Sequence, residues 1–540
     1  MSYILSKRRL IPRWRRMSAT LELREAQPVG KGQNNAIASD RDGLERAIAD
    51  WRESPTAGHL GDVLSFSIAS DCVERVQEIT TEALAKGHQA TEPQRSLMHS
   101  LVEESATDGP QTDEIGGICN PHVQLRVQQI RKVLRLNPAN PLVLLDFAQL
   151  QIASGNAKRA ERSISSALSL SPNNRLVLRT AARFFTHIDE VERGHRLLAR
   201  HARTPTDPWL MASEIALAQV SGRASKFARP GMVYANQHKR AHSEISELTG
   251  ALGGLELFHG NARKARDLFR LALINPNDNV IAQAITDRRV LALDLNQPEQ
   301  RSAAQGTVEA KALLAWESLN INEASINGHG WHGEEPFSSR PLQFLTSLYA
   351  ASGKYPEVIA LAKRGLISDP RDAALMANLG YAYGCVGELE KAEHFSRRAA
   401  AINPVGVGPQ TVATLGLVAM KRGNFDAADD LYQSALKSFV SSNDRIMQAI
   451  CYAYYARTAF DSDHPDFERI ATEAVEVYKR ASSADAAIVL QQLKQNIEAP
   501  VLEDPVRRLG QWVFDPLRNE VVHKSGVTQP GAPILLIKDS

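Results

Sequence analysis

Apolar residues recur at helical spacing along most of the chain, and the pattern is clearest between residues 341 and 439. There, amphipathic stretches alternate with short breaks marked by Gly or Pro, which is typical of paired helices. The breaks are periodic: Gly353 and Gly387 lie 34 positions apart, as do Pro370 and Pro404. A fixed period of this length predicts a helical repeat architecture.

The same period appears upstream, where Pro138 and Pro172 are also 34 positions apart. Gly155 stands in this register where Gly353, Gly387 and Gly423 stand in the other. Small residues occupy matching positions of the two helices in each unit: Ala148, Gly380 and Gly416 in the first helix, and Ala160, Ala392 and Ala428 in the second. Small side chains at these positions permit close approach of two helices, a Gly supplies the turn between them, and Pro ends the second helix.

These units resemble tetratricopeptide repeats, each an antiparallel pair of helices of about 34 residues. The resemblance implies an all-α fold in which successive pairs stack into a right-handed α-α superhelix. Outside the repeats, the residues themselves predict a basic N-terminal arm and a short β-like tail. The resemblance also implies a concave groove, lined by the first helices, that binds a peptide or helix of a partner protein. We therefore expect a scaffold or adaptor protein and not an enzyme.

Composition shifts and breaks in the pattern predict how the chain is divided. We expect a basic disordered arm and linker at 1–39, divergent helical repeats at 40–137, an N-terminal array at 138–319, a polar linker at 320–340, a C-terminal array at 341–439, a degenerate repeat with a capping helix at 440–497, and a tail with short strands at 498–540.

Charge is distributed unevenly although the whole chain carries only +2. Residues 116–243 hold 19 Lys and Arg against 7 Asp and Glu, while the segments on either side are acidic. Within this block, Arg179, Arg183 and His187 follow each other at i, i+4 and i+8, so they share one helix face. We expect them to form a basic N-terminal groove for an acidic protein segment, with a merely solvated face as the alternative. Nucleic acid is a further alternative, less favoured because no aromatic residues interleave with the arginines.

The C-terminal array should present a neutral groove with apolar patches. The resemblance places these residues in it: Gln343, Ser347, Asn378, Tyr381, Gln410 and Leu417. In the family, some such grooves clamp a carboxylate with Lys, Arg and Asn side chains. Only Asn378 matches that pattern here, so the sequence does not predict a carboxylate clamp.

Motifs for nucleotide binding, nucleophilic catalysis and zinc proteolysis are absent from the sequence, and we expect no catalytic residues and no cofactor. His329, His332, Glu334 and Glu335 could ligate a metal, but they fall in the expected polar linker, where surface histidines are common. The Cys residues show no CxxC spacing, and no stretch approaches the length of a membrane span. A cytoplasmic location is the default. The Arg-rich segment 1–20 leaves open a solvated arm or a targeting presequence.

Overall fold

The computed structural model describes eleven stretches of the chain. They are residues 40–70, 76–85, 90–91, 94–95, 97–99, 121–236, 241–286, 307–481, 483–498, 512–515 and 520–523. The expected basic arm and linker at 1–39 lie outside the described residues. In the described part the chain is built almost entirely of helices, as the repeat pattern predicts, and a pair of short strands follows them.

The helices of the first half, in chain order, have these bounds: α1 Asp40–Glu53, α2 Ala57–Ser70, α3 Gln77–Ala85, α4 Pro121–Leu136, α5 Pro141–Ala153, α6 Ala157–Leu170, α7 Arg175–His187, α8 Val191–Arg200, α9 Pro208–Val220, α10 Ala228–Ala235, α11 His242–Phe258, α12 Ala262–Ala272 and α13 Asp278–Thr286. A single 3₁₀ turn, Thr204–Thr206, precedes α9. Asp207 caps α9, with its carboxylate accepting from the backbone N–H groups of Trp209 and Leu210.

The second half continues with these elements: α14 Val308–Glu317, α15 Ile321–Glu334, α16 Ser339–Ala351, α17 Tyr355–Ser368, α18 Ala373–Cys385, α19 Leu389–Ile402, α20 Gly408–Lys421, α21 Phe425–Ser441, α22 Arg445–Asp461, α23 Phe467–Arg480, α24 Ala484–Glu498, β1 Trp512–Asp515 and β2 Glu520–His523. The two strands pair antiparallel, with Trp512 opposite His523. The helices α22, α23 and α24 cover most of residues 440–497, where the sequence predicts a degenerate repeat and a capping helix.

The turn between the helices of a repeat depends on a glycine in the left-handed region. Gly387 has φ 89° and Gly155 has φ 78°. At the Gly387 turn, the N–H of Gly387 donates to the carbonyl of Gly384, and the N–H of Glu388 donates to the carbonyl of Tyr383. This arrangement satisfies carbonyls at the end of the first helix, and only glycine adopts the required φ without strain. The predicted register is therefore confirmed at the turns.

The contact between the paired helices depends on small residues, also as predicted. A Cβ added at Gly380 would lie 3.1 Å from the carbonyl oxygen of Ala392, and one at Gly416 would lie 3.2 Å from that of Ala428. Ala392 and Ala428 are themselves fully buried. The two backbones therefore approach so closely that larger side chains do not fit.

The expected polar linker at 320–340 is wrong, because residues 321–334 form α15. The side chain of Asn320 accepts a bond from the N–H of Glu323 and caps the helix. Two of its glycines are packing positions: a Cβ at Gly328 would lie 2.6 Å from the side chain of Leu345, and one at Gly330 would lie 3.0 Å from that of Val308. Trp331 is fully buried. Glycine content and polarity suggested a loop, but here the missing side chains let α15 pack against α16.

Residues 222–236, which follow α9, contain α10. A fully buried carboxylate fixes the turn that leads into it. Glu214 accepts bonds from the hydroxyl of Ser225 at 2.5 Å and from the N–H of Lys226 at 3.3 Å, and it lies 3.0 Å from Nε2 of His195. Each carboxylate oxygen thus has a polar partner, which offsets the loss of hydration on burial.

Two large hydrophobic cores run through the described helices. One joins residues of α1 to α9 and the other joins residues of α14 to α24, while smaller clusters lie between them. Phe337 is an exception to this division, because it precedes α16 in sequence but belongs to the core of the first half. The two halves therefore meet at this residue.

Candidate partner-binding sites

The predicted basic groove of the first half is not an open surface. Arg179 is ion-paired with Glu247 of α11, and only 15% and 8% of their side chains are exposed. The second oxygen of Glu247 accepts a bond from the side chain of Asn277 at 2.5 Å. The charge of Arg179 is therefore neutralised by a later helix of the same array.

Arg183 and His187 are also engaged within the chain, with 6% and 9% exposure. The guanidinium carbon of Arg183 lies 5.6 Å from the centre of the Phe337 ring. The ring of His187 meets the same ring edge-on at 5.5 Å, and its Nε2 lies 3.1 Å from the carbonyl oxygen of Ser368. The expectation of a solvent-facing basic groove at these residues is wrong, because the second half of the chain covers this face of α7.

The six residues predicted for the C-terminal groove divide into two groups. Gln343, Ser347 and Leu417 belong to internal contacts. Gln343 donates to the carboxylate of Asp372 at 2.5 Å, and Ser347 donates to the carbonyl of Gln343 at 2.8 Å. Leu417 is 1% exposed and packs where Gly384 has no side chain. These three residues support the array and do not line an open groove.

The Asp372 carboxylate caps the start of α18, where it accepts a bond from the N–H of Leu375 at 2.9 Å. Burial raises the pKa of this carboxyl group, and the neighbouring Asp369 raises it further. Bonds from Ser339, Leu375 and Gln343 act in the opposite direction. Gln343 thus stabilises a buried helix cap.

Asn378, Tyr381 and Gln410 line a single cavity on the second array, which we call the second-array cavity. About 80 Å³ of it can hold the centres of water-sized molecules, and it is partly open to solvent. Its remaining lining is mostly apolar and comes from α16, α18, α20, α21 and α22: Ala350, Ala377, Ala413, Thr414, Tyr432, Phe439, Met447, Ile450, Cys451 and Tyr454. The structure therefore brings together three of the six predicted groove residues.

Asn378 has a fixed orientation at this cavity. Its Nδ2 donates to the hydroxyl oxygen of Thr346 at 2.8 Å, and that hydroxyl donates in turn to the carbonyl of Leu342 at 2.8 Å. Because Thr346 has used its only proton, Asn378 must supply the donor and point its Oδ1 elsewhere. In the described part of the chain, this oxygen is buried and has no hydrogen-bond partner, although Asn378 is only 1% exposed.

Gln410 adds a second acceptor of the same kind. Its Oε1 is buried and lacks a hydrogen-bond partner among the described residues. Unpaired buried acceptors are uncommon in proteins and cost about 1–3 kcal/mol each. An apolar cavity with two such oxygens is suited to a ligand that combines apolar surface with N–H or O–H donors.

One wall of the cavity is held by a buried arginine. Arg457 of α22 donates to the hydroxyl of Tyr381 at 2.6 Å and to the carbonyls of Ala350 and Ala351, each at 3.0 Å. Its guanidinium carbon lies 4.6 Å from the centre of the Tyr454 ring. The cation thereby caps the carboxyl end of α16, where helix carbonyls lack partners, and fixes two cavity tyrosines. Burial raises the pKa of Tyr381, so its hydroxyl stays protonated near neutral pH.

The candidate metal ligands lie on or just after α15 and not in a loop. Nε2 of His329 is 2.9 Å from the hydroxyl of Tyr349. Burial, reinforced by Arg364, lowers the pKa of His332 to about 4. Among the described residues, no group of His, Cys, Asp and Glu side chains has an arrangement that could hold a metal ion.

Sequence reasoning missed Phe337, Thr346, Tyr454 and Arg457. Arg457 carries a usable signal, since it is the only charged residue between 446 and 460, in a helix otherwise rich in Ala and Tyr. A lone cation in an apolar helix points to a buried polar partner. Phe337 carries no such signal, because the ring contacts described above come from residues 150 or more positions earlier.

Comparison with known proteins gives no match to a protein-family model and none to a curated protein. Among solved structures, yeast Tom70 is similar over 87% of this chain and 95% of its own, with 12% identity and a TM-score of 0.30. The complex Cut9-Hcn1 covers 69% of this chain and 81% of its own, with 12% identity and a TM-score of 0.27. The complex Naa15/Naa10 bound to HypK-THB covers 81% of this chain and 65% of its own, with 13% identity and a TM-score of 0.21.

At such TM-scores these neighbours carry no argument about partners or function. The helix pairs, the spacing of their glycine turns and the small residues at their contacts belong to the chain itself. It is a helical repeat protein whose units resemble tetratricopeptide repeats. The predicted resemblance is thereby confirmed. In the described part of this tetratricopeptide-like chain, no helix is both long and apolar enough to cross a membrane.

Proposed function

We propose that this protein is a scaffold that binds a segment of a partner protein in the second-array cavity. The observation that carries the proposal is the pair of buried, unpartnered amide oxygens of Asn378 and Gln410 at an apolar cavity. Backbone N–H groups of a bound segment would satisfy these acceptors, and an apolar side chain would fill the space between Ala413, Met447 and Tyr454.

The proposal favours a neutral, apolar segment over a free carboxylate. The fixed amide of Asn378 presents an acceptor, and an acceptor repels a carboxylate oxygen. Arg457 holds one wall of the cavity, but it already donates to Tyr381, Ala350 and Ala351. Recognition would therefore depend on apolar burial and neutral hydrogen bonds, with little dependence on salt.

Selection of displayed random peptides on the full chain tests this proposal. Ala413→Trp should abolish binding of the selected peptides, because Ala413 lines the cavity and the larger ring fills it. Ala401→Trp is the matched control, since Ala401 is exposed on α19 and does not line the cavity. Binding is measured by fluorescence anisotropy. Peptides that bind Ala413→Trp as tightly as the parent would rule out the cavity as the site.

The alternative function is contact with nucleic acid through residues 116–243. The three basic residues predicted for a groove in this segment are not available for such a contact. Arg179, Arg183 and His187 all have partners within the chain. The block still exposes cations on α4 and α8: Lys132, Arg135, Arg196 and Arg200. These four lie on second helices or outside the recognised pairs, and no observation favours them over an ordinary solvated surface.

A further inference from the structure

Phe337 lies in a connection of the second half but is packed as part of the first. It belongs to residues 335–338, which join α15 to α16, and it is the only large apolar side chain among them. It is nevertheless fully buried, within the hydrophobic core formed by α1 to α9. A short connection of this kind would normally run over the surface. Its burial is therefore a specific contact and not a by-product of helix packing.

The surroundings of Phe337 form a subsite for an aromatic ring. Arg183 places its guanidinium 5.6 Å from the ring centre, and His187 meets the ring at 5.5 Å with planes inclined by 78°. Both side chains project from α7, one helical turn apart, so a single helix face supplies a cation and an edge-on ring. These are two geometries that favour an aromatic side chain over an aliphatic one of similar size.

The same face of α7 is the one that the repeat pattern assigns to partner contact. In this chain its occupants come from the second half: Phe337 in the middle and the carbonyl of Ser368 beside His187. The two halves also approach each other closely beside this face. A Cβ added at Gly155 would lie 3.3 Å from the carbonyl oxygen of Ile367. The face is therefore covered by the chain itself, much as a bound segment would cover it.

We propose that this face of α7 is a docking site for an aromatic side chain of a partner segment, and that Phe337 is a built-in occupant which the partner displaces. The partner is a peptide segment that presents Phe, Tyr or Trp. Its binding competes with an intramolecular contact, so its apparent affinity equals the intrinsic affinity multiplied by the fraction of molecules in which Phe337 has left. Removing the Phe337 ring removes the competitor and leaves the site intact.

The test uses a fluorescent peptide with the sequence of residues 333–341 of this chain, GEEPFSSRP. Phe337→Ala should bind this peptide at least about tenfold more tightly than the parent, because the parent site is occupied. The same peptide with Ala in place of Phe should bind neither protein. Phe395→Ala is the matched control, since Phe395 is a similarly buried ring of the second array, 4% exposed, that does not touch α7.

A second variant keeps the test decisive if Phe337→Ala does not fold. Phe337→Leu retains apolar volume and removes only the ring, so it should fold and bind the peptide with an affinity between those of the parent and Phe337→Ala. Equal binding by the parent and by the folded Phe337 variant overturns the proposal, and so does binding by Phe395→Ala that is as tight as binding by Phe337→Ala. The peptide should bind Phe337→Leu equally well with and without Ala413→Trp, which separates this site from the second-array cavity.

Discussion

Gly380 lies inside α18 where the second helix of its repeat crosses it, and Gly380→Ala tests that contact. An added Cβ would lie 2.6 Å from the hydroxyl of Ser396, 3.1 Å from the carbonyl oxygen of Ala392 and 3.2 Å from the N–H nitrogen of Ser396. The last two atoms are backbone atoms of α19, so they cannot rotate away. Overpacking of this kind costs about 1–3 kcal/mol, while Ala returns about 1 kcal/mol of helix propensity. We expect a net loss of up to about 2 kcal/mol.

Gly333→Ala is the matched control, because an added Cβ there meets nothing within 4 Å. It lies in α15, so the same substitution should stabilise the chain by up to about 1 kcal/mol. Urea unfolding followed by circular dichroism measures the total effect, and hydrogen exchange locates it, since repeat arrays lose stability locally. A stabilised Gly380→Ala protein would mean that α18 and α19 are not in close backbone contact. A destabilised Gly333→Ala protein would contradict the helical state of residues 321–334.

Two further predictions concern buried positions of the second half. Ala392→Arg forces a cation into a fully buried contact. Hydrogen exchange should therefore show local opening of the second array, and urea unfolding should show a loss of stability of about 3 kcal/mol or more. Unfolding identical to that of the parent would refute the repeat register. His332 has its pKa lowered from 6.5 to about 4 by burial, so the unfolded chain takes up this proton first as pH falls. The stability that neutral His332 contributes above pH 6.5 should be lost as the pH falls towards 4. This loss amounts to about 3 kcal/mol at most. His332→Gln should therefore lose less stability than the parent between pH 7 and pH 4.5, and an equal loss would contradict the lowered pKa.

The repeat units were predictable because their determinants are local and periodic. Gly353 and Gly387 fix the turns, and Ala392 and Gly380 fix the helix contact, and each acts within one unit of about 34 residues. A pattern that repeats can be recognised by its spacing alone. The same reasoning located the last helices α22, α23 and α24, where the consensus is weaker but the amphipathic pattern persists.

Contacts between distant units were not predictable from the same pattern. Arg183 has the spacing of a solvent-facing arginine, yet Phe337 covers it from 154 positions away. Leu417 occupies a groove position of the family but fills the space left by Gly384. In α15, Gly328 and Gly330 suggested a linker but are packing positions, with partners on α16 and α14. The error at Arg183 arose because a superhelix brings together residues whose separation depends on its pitch, and pitch is not encoded in one repeat. The contacts of Leu417 and of these glycines join neighbouring helices, and they depend on which side chain fills the space beside a glycine.

Side chains of the protein itself partly fill the face of α7 and the second-array cavity, and this limits what a partner can contact. Phe337 covers the face of α7, and Arg457 with Tyr381 and Tyr454 narrows the second-array cavity. What is left in the second array is a space bounded by five helices, in which the amide oxygens of Asn378 and Gln410 offer hydrogen-bond acceptors. Under the two proposals, each site admits one anchoring side chain with adjacent backbone, and the two anchors differ in chemistry. The second-array cavity would select an apolar residue beside N–H donors, whereas the face of α7 would select an aromatic ring that competes with Phe337. A partner carrying both anchors would gain from the effective concentration of the second contact once the first has formed.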